Sequence, residues 1–355
     1  MVSDLVGRAR VQFLPQLART PGQTEGNPTP STRVGIVRYR PPFHPPGEAV
    51  FFSRTRCKAL KKVPRTKLSE VIMNHSNNGQ ARVSVSSWSL HRHLGRPQIY
   101  GVESGRTIPI ESHNQGDFSL LELPERIASF GIHTLEICHF HLPSLDPGYL
   151  AELRQAIVAA GVELFSLLVD DGDVTHPERG EEDLAWIESW LEVGAALGSQ
   201  CMRVIGGKQP ARADTVKLSQ QRLAGLAGKA DSHGIRLMTE NWFPLLATPQ
   251  TVVQLLESLD GRVGLCLDFG NWRGEEKYAG FRVIAPYAES CHAKGQFDEN
   301  GRLRRDDYER CLDITQSADF AGPYTLIYDS PMPANEWDGL ATEQEVVSVY
   351  IGTQS

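Results

Sequence analysis

The sequence lacks long hydrophobic runs and paired cysteines. Nowhere do about 18 apolar residues follow one another, so no membrane-spanning helix is expected. The six cysteines stand singly, mostly within apolar, strand-like stretches, and none forms a CxxC pair. They are Cys57, Cys138, Cys201, Cys266, Cys291 and Cys311. This usage favours reduced, buried thiols in a cytoplasmic protein over a disulfide framework.

Positive charge is scarce outside the N-terminal part of the chain. Residues 1–80 carry 13 Lys and Arg against 4 Asp and Glu, a net charge of +9. The remainder carries 23 against 39, a net charge of -16. An acidic body argues against nucleic acid as the main partner, because phosphate contacts need a basic face.

The N-terminal part also differs in its pattern. It holds nine prolines, including "RYRPPFHPPGE", and the basic run "RTRCKALKKVPRTK". Its apolar residues follow neither helical nor strand periodicity, so a packed core is not expected there. We expect residues 1–80 to be a basic, Pro-rich extension that is disordered or not native to the domain, and residues 81–355 to form the folded domain.

From residue 82 onwards, short apolar runs alternate with amphipathic, helical stretches. Eight such alternations over roughly 270 residues predict a (β/α)8 TIM barrel. A doubly wound sheet is the competing fold, but no run is followed by the glycine-rich fingerprint of a dinucleotide-binding site. The strand-like runs are "RVSVSSW", "TLEICHF", "VELFSLLV", "CMRVIGG", "IRLMTEN", "VGLCLDF", "AESCHAKG" and "YTLIYDS".

Polar side chains end the last four predicted strands, at Glu240, Asp268, His292 and Asp329. In such barrels the chemistry sits at the C-terminal ends of the strands. Carboxylates crowded at one mouth repel one another unless a cation neutralises them. Carboxylate oxygen with one imidazole suits a divalent ion such as Mn²⁺, Mg²⁺, Co²⁺ or Zn²⁺. The pattern therefore predicts a metal site, whereas a single such residue would more often cap a helix or serve a loop.

Residues from about 82 to the C-terminus resemble the xylose-isomerase-like barrel family of sugar (phosphate) isomerases and epimerases. The motifs that carry the resemblance are "VSVSSWSLH", "LMTENW", "GLCLDFGN", "CHAKGQFDENGRLRRDDYERCLDI" and "GPYTLIYD". The resemblance implies one divalent ion, most often Mn²⁺, held by Glu240, Asp268, His292 and a fourth ligand from strand eight. At that fourth position the family typically has Glu, and this sequence has Asp329.

The resemblance also implies a chemistry. In such enzymes the metal polarises a carbonyl and an adjacent hydroxyl of a sugar, one carboxylate removes the proton between them, and a second group returns it. Glu240 and Asp329 would be this acid/base pair. Because Asp is one methylene shorter than Glu, the departure bears on the reaction type more than on metal binding.

Further residues near the strand ends are candidates for contacts with a small sugar or polyol. Trp88 and the two histidines can also be read as barrel packing and loop residues, and the acidic "VDDGDVTHPE" is read as a turn. The candidates are Trp88, His139, His141, Arg203, Lys208, Trp242, Asn271 and Lys294. No glycine-rich phosphate loop follows strands seven and eight, which favours a non-phosphorylated substrate.

Other functions of the same barrel stay open at this stage. A metal-dependent sugar dehydratase or lyase would use the same metal and base, and a non-catalytic carbohydrate-binding barrel would use neither for turnover. An apurinic-site endonuclease is disfavoured, since its histidine three residues after the strand-six Asp is here Asn271. The long segment 89–118 is expected to form a lid or a contact in a homo-oligomer.

Overall fold

The computed structural model describes residues 80–95, 98, 100, 116–330 and 335–351. The predicted extension, apart from residue 80, and most of segment 89–118 lie outside these residues. Eight strands run through the described part of the chain. They are β1 (Arg82–Ser86), β2 (Thr134–Cys138), β3 (Glu163–Val169), β4 (Cys201–Val204), β5 (Arg236–Glu240), β6 (Gly264–Asp268), β7 (Ala288–Ala293) and β8 (Pro323–Leu326).

The eight strands form a closed parallel barrel in chain order. Each strand pairs with the next, and β8 closes the ring on β1, where Val85 lies opposite Leu326. At the C-terminal end of β6, Asp268 lies opposite His292 of β7. The predicted (β/α)8 barrel is therefore confirmed.

Nine α-helices lie among the described residues, and most of them connect consecutive strands. They are α1 (His91–Leu94), α2 (Leu123–Ser129), α3 (Pro147–Ala159), α4 (Gly180–Leu197), α5 (Ala213–Ser232), α6 (Pro249–Ser258), α7 (Glu276–Ile284), α8 (Arg305–Gln316) and α9 (Glu336–Ile351). Helix α4 has three acidic residues in its first turn, where their negative charges interact favourably with the positive end of the helix dipole. The helix ends before Gly198. Gly198 takes a left-handed conformation (φ 78°), which glycine adopts without steric cost.

The hydrophobic core lies in two layers, one outside the barrel and one inside it. Helices bury one face against the sheet, as α3 does with Leu150, Leu153 and Ile157, spaced three and four residues apart. Inside the barrel a small cluster fills the middle, namely Phe165, Cys201, Met238 and Cys266. The interior is thus packed between its two ends, and a ligand can enter only at an end.

Four charged residues close the bottom of the barrel, at the N-terminal ends of the odd-numbered strands. Arg82 pairs with Glu163, and Arg236 forms two hydrogen bonds to Glu289, of 3.0 and 2.6 Å. Gly264 leaves room for the latter pair, since a Cβ there would lie 2.6 Å from the Glu289 carboxylate. Both positive charges at this end are therefore matched by carboxylates of the same layer.

Strand β8 ends three residues before Asp329, earlier than the sequence pattern predicts. The cause lies in β1, which leaves the sheet at Ser87 to form a 3-10 helix, Ser87–Leu90. The Ser89 hydroxyl then replaces the backbone hydrogen-bonding groups that β1 no longer offers to β8. It donates to the Leu326 carbonyl and accepts from the Tyr328 amide, both at 2.9 Å. Asp329 is consequently carried by a loop rather than by the ladder.

No helix in the described ranges is both long enough and apolar enough to span a bilayer.

Candidate active site

A cavity opens at the C-terminal ends of the strands, opposite the closed bottom. Its walls combine two indole rings, several apolar side chains and a group of charged ones. The lining residues are Ser86, Trp88, Cys138, Leu168, Asp170, Arg203, Glu240, Trp242, Asp268, Asn271, His292, Lys294 and Ile327. Eight of the twelve predicted site residues line this cavity, and Trp88 is one of them.

Glu240, Asp268 and His292 come together at the centre of this cavity. Nδ1 of His292 lies 3.6 Å from Oε2 of Glu240 and 3.7 Å from Oδ2 of Asp268. All three side chains are buried. Cys266, one step deeper on β6, brings its Sγ within 4.8 Å of the Glu240 and His292 ligand atoms. This group of donors could hold a metal ion.

The opposite nitrogen of His292 is held by a carboxylate from across the barrel. Nε2 lies 2.9 Å from Oε2 of Glu136, a β2 residue that is 1% exposed. With Nε2–H donating to Glu136, a neutral ring turns the Nδ1 lone pair towards the oxygens of Glu240 and Asp268. A lone pair facing two carboxylates is unfavourable, and either a proton on Nδ1 or a metal ion among the three groups relieves it. Carboxylate, imidazole and cation in this order are typical of protein metal centres.

The pKa values of Glu240, His292 and Asp268 show that negative charge is crowded at this centre. Burial raises the pKa of Glu240, and the nearby positive charges of Arg203 and His292 only partly offset it. Burial lowers the pKa of His292, but the acidic groups around it, Cys266 and Glu136 first, raise it well above its usual value. Burial also raises the pKa of Asp268, but the interactions with the nearby His292 and the charge of Lys294 outweigh this, so the pKa of Asp268 lies below its usual value.

Two asparagines fix the carboxylates in place. Asn271 donates to Oε1 of Glu240 at 2.6 Å. Asn241 exchanges two hydrogen bonds with the backbone of Asp268, accepting from its amide at 2.7 Å and donating to its carbonyl at 3.1 Å. Oδ1 of Asp268 accepts the amides of Gly270 and Asn271, both at 2.7 Å. One oxygen of each carboxylate is thereby engaged, and the other points to His292.

Arg203 of the neighbouring strand β4 lies buried beside Glu240. Its Nη2 lies 2.6 Å from Oδ1 of Asp170, and its Nε lies 3.1 Å from Oε2 of Glu240. The guanidinium also lies over the Trp242 ring, 5.7 Å from the centroid. Asp170, which the sequence analysis placed in a turn, is therefore part of the cavity wall and the counter-ion of Arg203.

Asp329 does not line the cavity, because Lys294 lies between it and the cavity. Nζ of Lys294 lies 2.6 Å from Oδ2 of Asp329, whose side chain is 39% exposed. Burial raises the pKa of Asp329, but the Lys294 charge outweighs this and holds the pKa below its usual value. The geometry thus places Asp329 behind the lysine and not beside Glu240, Asp268 and His292.

Three predicted substrate contacts lie away from the cavity. Nδ1 of His139 accepts the Asp170 amide at 3.2 Å, and its ring packs edge-on against Trp186 and Trp190. Nδ1 of His141 lies 2.8 Å from the Ser87 hydroxyl. Burial lowers the pKa of His139 to about 4 and that of His141 to about 3, so both rings are neutral. Lys208 lies 3.2 Å from Asp171.

Sequence reasoning missed Glu136 and Cys266 because it considered only the polar residues that end a strand. The signal for Glu136 was present, since "TLEIC" places one carboxylate in the middle of an otherwise apolar strand. A buried charge there requires a partner. That partner, His292, lies 156 residues further along the chain, and no local pattern reveals it.

Comparisons with known proteins bear on this fold. Residues 124–342 match the family model of the xylose isomerase-like TIM barrel. No curated protein matches. A solved xylose isomerase-like TIM barrel protein from Mycobacterium smegmatis, in complex with magnesium, has 14% identity and a TM-score of 0.56; the match covers 77% of this chain and 97% of that one.

Two further solved structures have the same degree of similarity. A D-psicose 3-epimerase, solved in the presence of D-fructose, has 14% identity and a TM-score of 0.56, over 76% of this chain and 99% of that one. A probable 3-DHS dehydratase from Bacillus anthracis has 14% identity and a TM-score of 0.56, over 75% and 98%. At such identities the likeness concerns the fold. The family model spans more than half of the chain, and the protein therefore belongs to the xylose isomerase-like TIM barrel family.

Proposed function

We propose that this protein is a divalent-metal-dependent sugar isomerase or epimerase that transfers a proton next to a carbonyl through an enediolate. The observation that carries the proposal is the orientation of His292, whose Nδ1 faces the Glu240 and Asp268 carboxylates while its Nε2 is held by Glu136. Solved structures of the same fold include the D-psicose 3-epimerase above, which supports a small, non-phosphorylated sugar or polyol as substrate.

The residues present fit a single metal ion. Glu240, Asp268 and His292 would hold it, with Cys266 beneath them. The hard oxygen donors favour Mn²⁺ or Mg²⁺, and the imidazole extends the choice to Co²⁺ or Zn²⁺; we propose Mn²⁺. When bound, such an ion polarises the carbonyl and the neighbouring hydroxyl of the sugar and neutralises the enediolate.

Glu240 is the proposed base. Asn271 holds its Oε1 at 2.6 Å, so that Oε2 is directed at the cavity, where a general base must lie. The Trp88 and Trp242 rings form apolar walls suited to the C–H faces of a sugar. Lys294 binds a substrate hydroxyl, and Asp329 keeps that lysine charged rather than ligating the metal directly.

A second candidate function is favoured by one observation, namely that Lys294 lines the cavity and pairs with Asp329, which does not line it. A carboxylate facing a lysine suits elimination, because Glu240 can remove the proton while an ammonium group assists a leaving hydroxyl. The similarity to a probable dehydratase supports this sugar dehydratase or lyase alternative. A non-catalytic carbohydrate-binding barrel would retain the cavity without turnover. The described cysteines, all buried and free, support a cytoplasmic setting.

The test is proton exchange. The Mn²⁺-loaded protein is incubated with a panel of ketoses in D₂O, and deuterium at the carbon beside the carbonyl is followed by NMR together with product formation. We expect exchange that Glu240→Gln lowers by roughly 10³-fold, a loss in the range of removing a catalytic acid/base. His292→Ala should lose the metal. Lys208→Gln, outside the cavity, is the matched control. Loss of substrate hydroxyl without epimer formation would favour the dehydratase, and binding without any exchange would favour the carbohydrate-binding barrel.

A further inference from the structure

Strand β6 carries two inward-facing donors at different levels of the barrel. Cys266 and Asp268 are two residues apart, so their side chains point to the same face of the strand. The register of the sheet sets Cys266 opposite Glu240 of β5, and it sets Asp268 opposite His292 of β7. The strand therefore offers a thiol at the level of Glu240 and a carboxylate at the level of His292.

The thiol, rather than the carboxylate, completes a compact group of donors. Among the described residues, Glu240, Cys266 and His292 are the one group of three whose ligand atoms all lie within 4.8 Å of one another. Asp268 is not a member of this group, although its Oδ2 lies 3.7 Å from Nδ1 of His292. In a tetrahedral zinc site the donors are roughly 3.5 Å apart, so shifts of about 1 Å bring these three to the spacing that an ion requires.

Neighbouring side chains direct the donors of this group. Nε2 of His292 is held at 2.9 Å by Glu136, and the opposite nitrogen, Nδ1, faces Glu240. Asn271 donates to Oε1 of Glu240 at 2.6 Å. Oε2 of the same residue, which is 4% exposed, has no hydrogen-bond partner within the described ranges. A buried carboxylate oxygen of this kind costs free energy, and a bound cation removes that cost.

We propose that Glu240, Cys266 and His292 form a binding position for a thiophilic divalent ion, Zn²⁺, which overlaps the proposed Mn²⁺ position. This inference rests on the metal centre of the proposed function and gives that centre a second, softer ligand set. A thiolate favours Zn²⁺, whereas carboxylates suit Mn²⁺ and Mg²⁺. Cys266 binds as the thiolate: its proton passes to the solvent, and a sulfur lone pair forms the bond to the ion. Because Glu240 and His292 belong to both ligand sets, the two ions exclude each other.

The test uses Co²⁺ as a spectroscopic substitute for Zn²⁺, because a thiolate ligand gives Co²⁺ a charge-transfer absorption in the near ultraviolet. The full chain is first loaded with Mn²⁺ and then titrated with Co²⁺. We expect the thiolate band to grow in step with the release of Mn²⁺, which electron paramagnetic resonance detects as the free ion. An absent band, or a band that grows without release of Mn²⁺, overturns the proposal, and this measurement needs no variant.

Cys266→Ser replaces the sulfur with a hard oxygen donor of similar size. It should abolish the band and lower the Zn²⁺ affinity, measured by calorimetry, by roughly 100-fold or more, because a lost ligand should cost at least as much as a lost outer partner. The Mn²⁺ affinity should change by less than about threefold. A band that persists in this variant, or an equal loss of affinity for both ions, contradicts the proposal.

The matched control is Cys201→Ser, the same substitution in the same inner cluster but outside the group of donors. It should keep the band and both affinities. The control matters because Zn²⁺ binds most nitrogen and oxygen sites more tightly than Mn²⁺ does. The evidence therefore lies in the change between variants and not in the preference of the wild type. Loss of the band in Cys201→Ser as well would assign it to a general disturbance of the interior and overturn the proposal.

Failure of the proposed function has a different signature. If the Co²⁺ band behaves as expected but no ketose exchanges protons on the Mn²⁺-loaded protein, the reaction is wrong and the zinc position stands. If Mn²⁺-dependent exchange occurs and Co²⁺ gives no thiolate band, only the role of Cys266 is wrong. A protein that binds neither ion overturns both the metal centre and this inference.

Discussion

The two ends of this barrel use the same residue types in opposite ways. At the bottom, Arg82 and Arg236 meet Glu163 and Glu289, and each positive charge has a carboxylate in the same layer. At the mouth, Glu240, Asp268 and Glu136 converge on one imidazole, and atoms of Glu240 and Arg203 are left without hydrogen bonds in the described part of the chain. Charges that are fully paired with one another stabilise the fold, whereas polar atoms without partners at the mouth are available to bind a ligand.

The comparison predicts where a substitution acts. A change at the bottom should lower the free energy of unfolding and leave ligand binding alone, because its partners are all internal. A change at the mouth should act on metal or substrate and cost less stability, because the folded protein already tolerates the mismatch there.

The largest effect is expected from Glu289→Ala at the bottom. It leaves the Arg236 guanidinium, 6% exposed, without its bidentate partner. Removing one member of a buried ion pair costs about 3–5 kcal/mol. Urea denaturation should show this loss, while the Mn²⁺ affinity of the folded fraction stays within a factor of two or so of wild type. A reduced metal affinity would mean that the two ends are coupled.

Glu343→Gln probes a carboxyl near the mouth that forms no ion pair with the residues that the structure describes. Glu343 of α9 accepts the Gly295 amide at 2.9 Å, and burial raises its pKa to about 8. The folded state therefore binds a proton that the unfolded state releases above about pH 4.5, so stability falls as the pH rises towards 8.

Glutamine copies the protonated form. The variant should be more stable than wild type at pH 9 by an amount on the order of 3 kcal/mol, and nearly equal to it at pH 4. Thermal unfolding across this range measures the difference. A wild type and a variant with parallel pH profiles would show that Glu343 titrates normally.

Glu136→Gln should weaken Mn²⁺ binding by roughly 10- to 100-fold, as loss of an outer carboxylate behind a ligating histidine does. The matched control is Glu163→Gln, which neutralises a carboxylate at the other end of the barrel, and it should leave the metal affinity unchanged. Calorimetric titration with Mn²⁺ measures the affinity of both variants. Equal affinities would contradict the assignment of His292 as a metal ligand that Glu136 supports.

The smallest effect is expected from Gly270→Ala. A Cβ at this position would lie 2.7 Å from Cδ of Lys294, so the lysine must shift. We expect turnover to fall roughly threefold to tenfold, since a small misplacement of a positioning group is costly, with little change in unfolding. Unaltered turnover would remove Lys294 from the substrate contacts.

The barrel and the centre of its mouth could be predicted from the sequence, because both follow from local patterns. Apolar strands that end at Glu240, at Asp268 and one residue past His292 mark their own C-terminal ends, and parallel strands bring such ends to one level. The link between Glu136 and His292 could not be read in this way, since it crosses the barrel and depends on closure of the sheet.

Asp329 shows how a tertiary contact overrides a strand pattern. The apolar run of "YTLIYDS" continues beyond Leu326, but β1 has already left the sheet, and the Ser89 hydroxyl takes the place of its backbone groups. The histidines of "HFH" were treated as candidates because imidazole is chemically versatile. Burial keeps both rings neutral. For His139 it depends on helix α4, whose Trp186 and Trp190 pack against the ring.

The early end of β8 has a consequence for anyone who would rebuild this site. Lengthening Asp329 to glutamate restores the missing methylene but not the route to the metal, because the loop sets the carboxylate behind Lys294 and the ammonium group captures it at 2.6 Å. A fourth carboxylate ligand would require shortening Lys294 at the same time. The two positions therefore determine the specificity of the site together, and shortening Lys294 alone would leave the Asp329 carboxylate without its counter-ion.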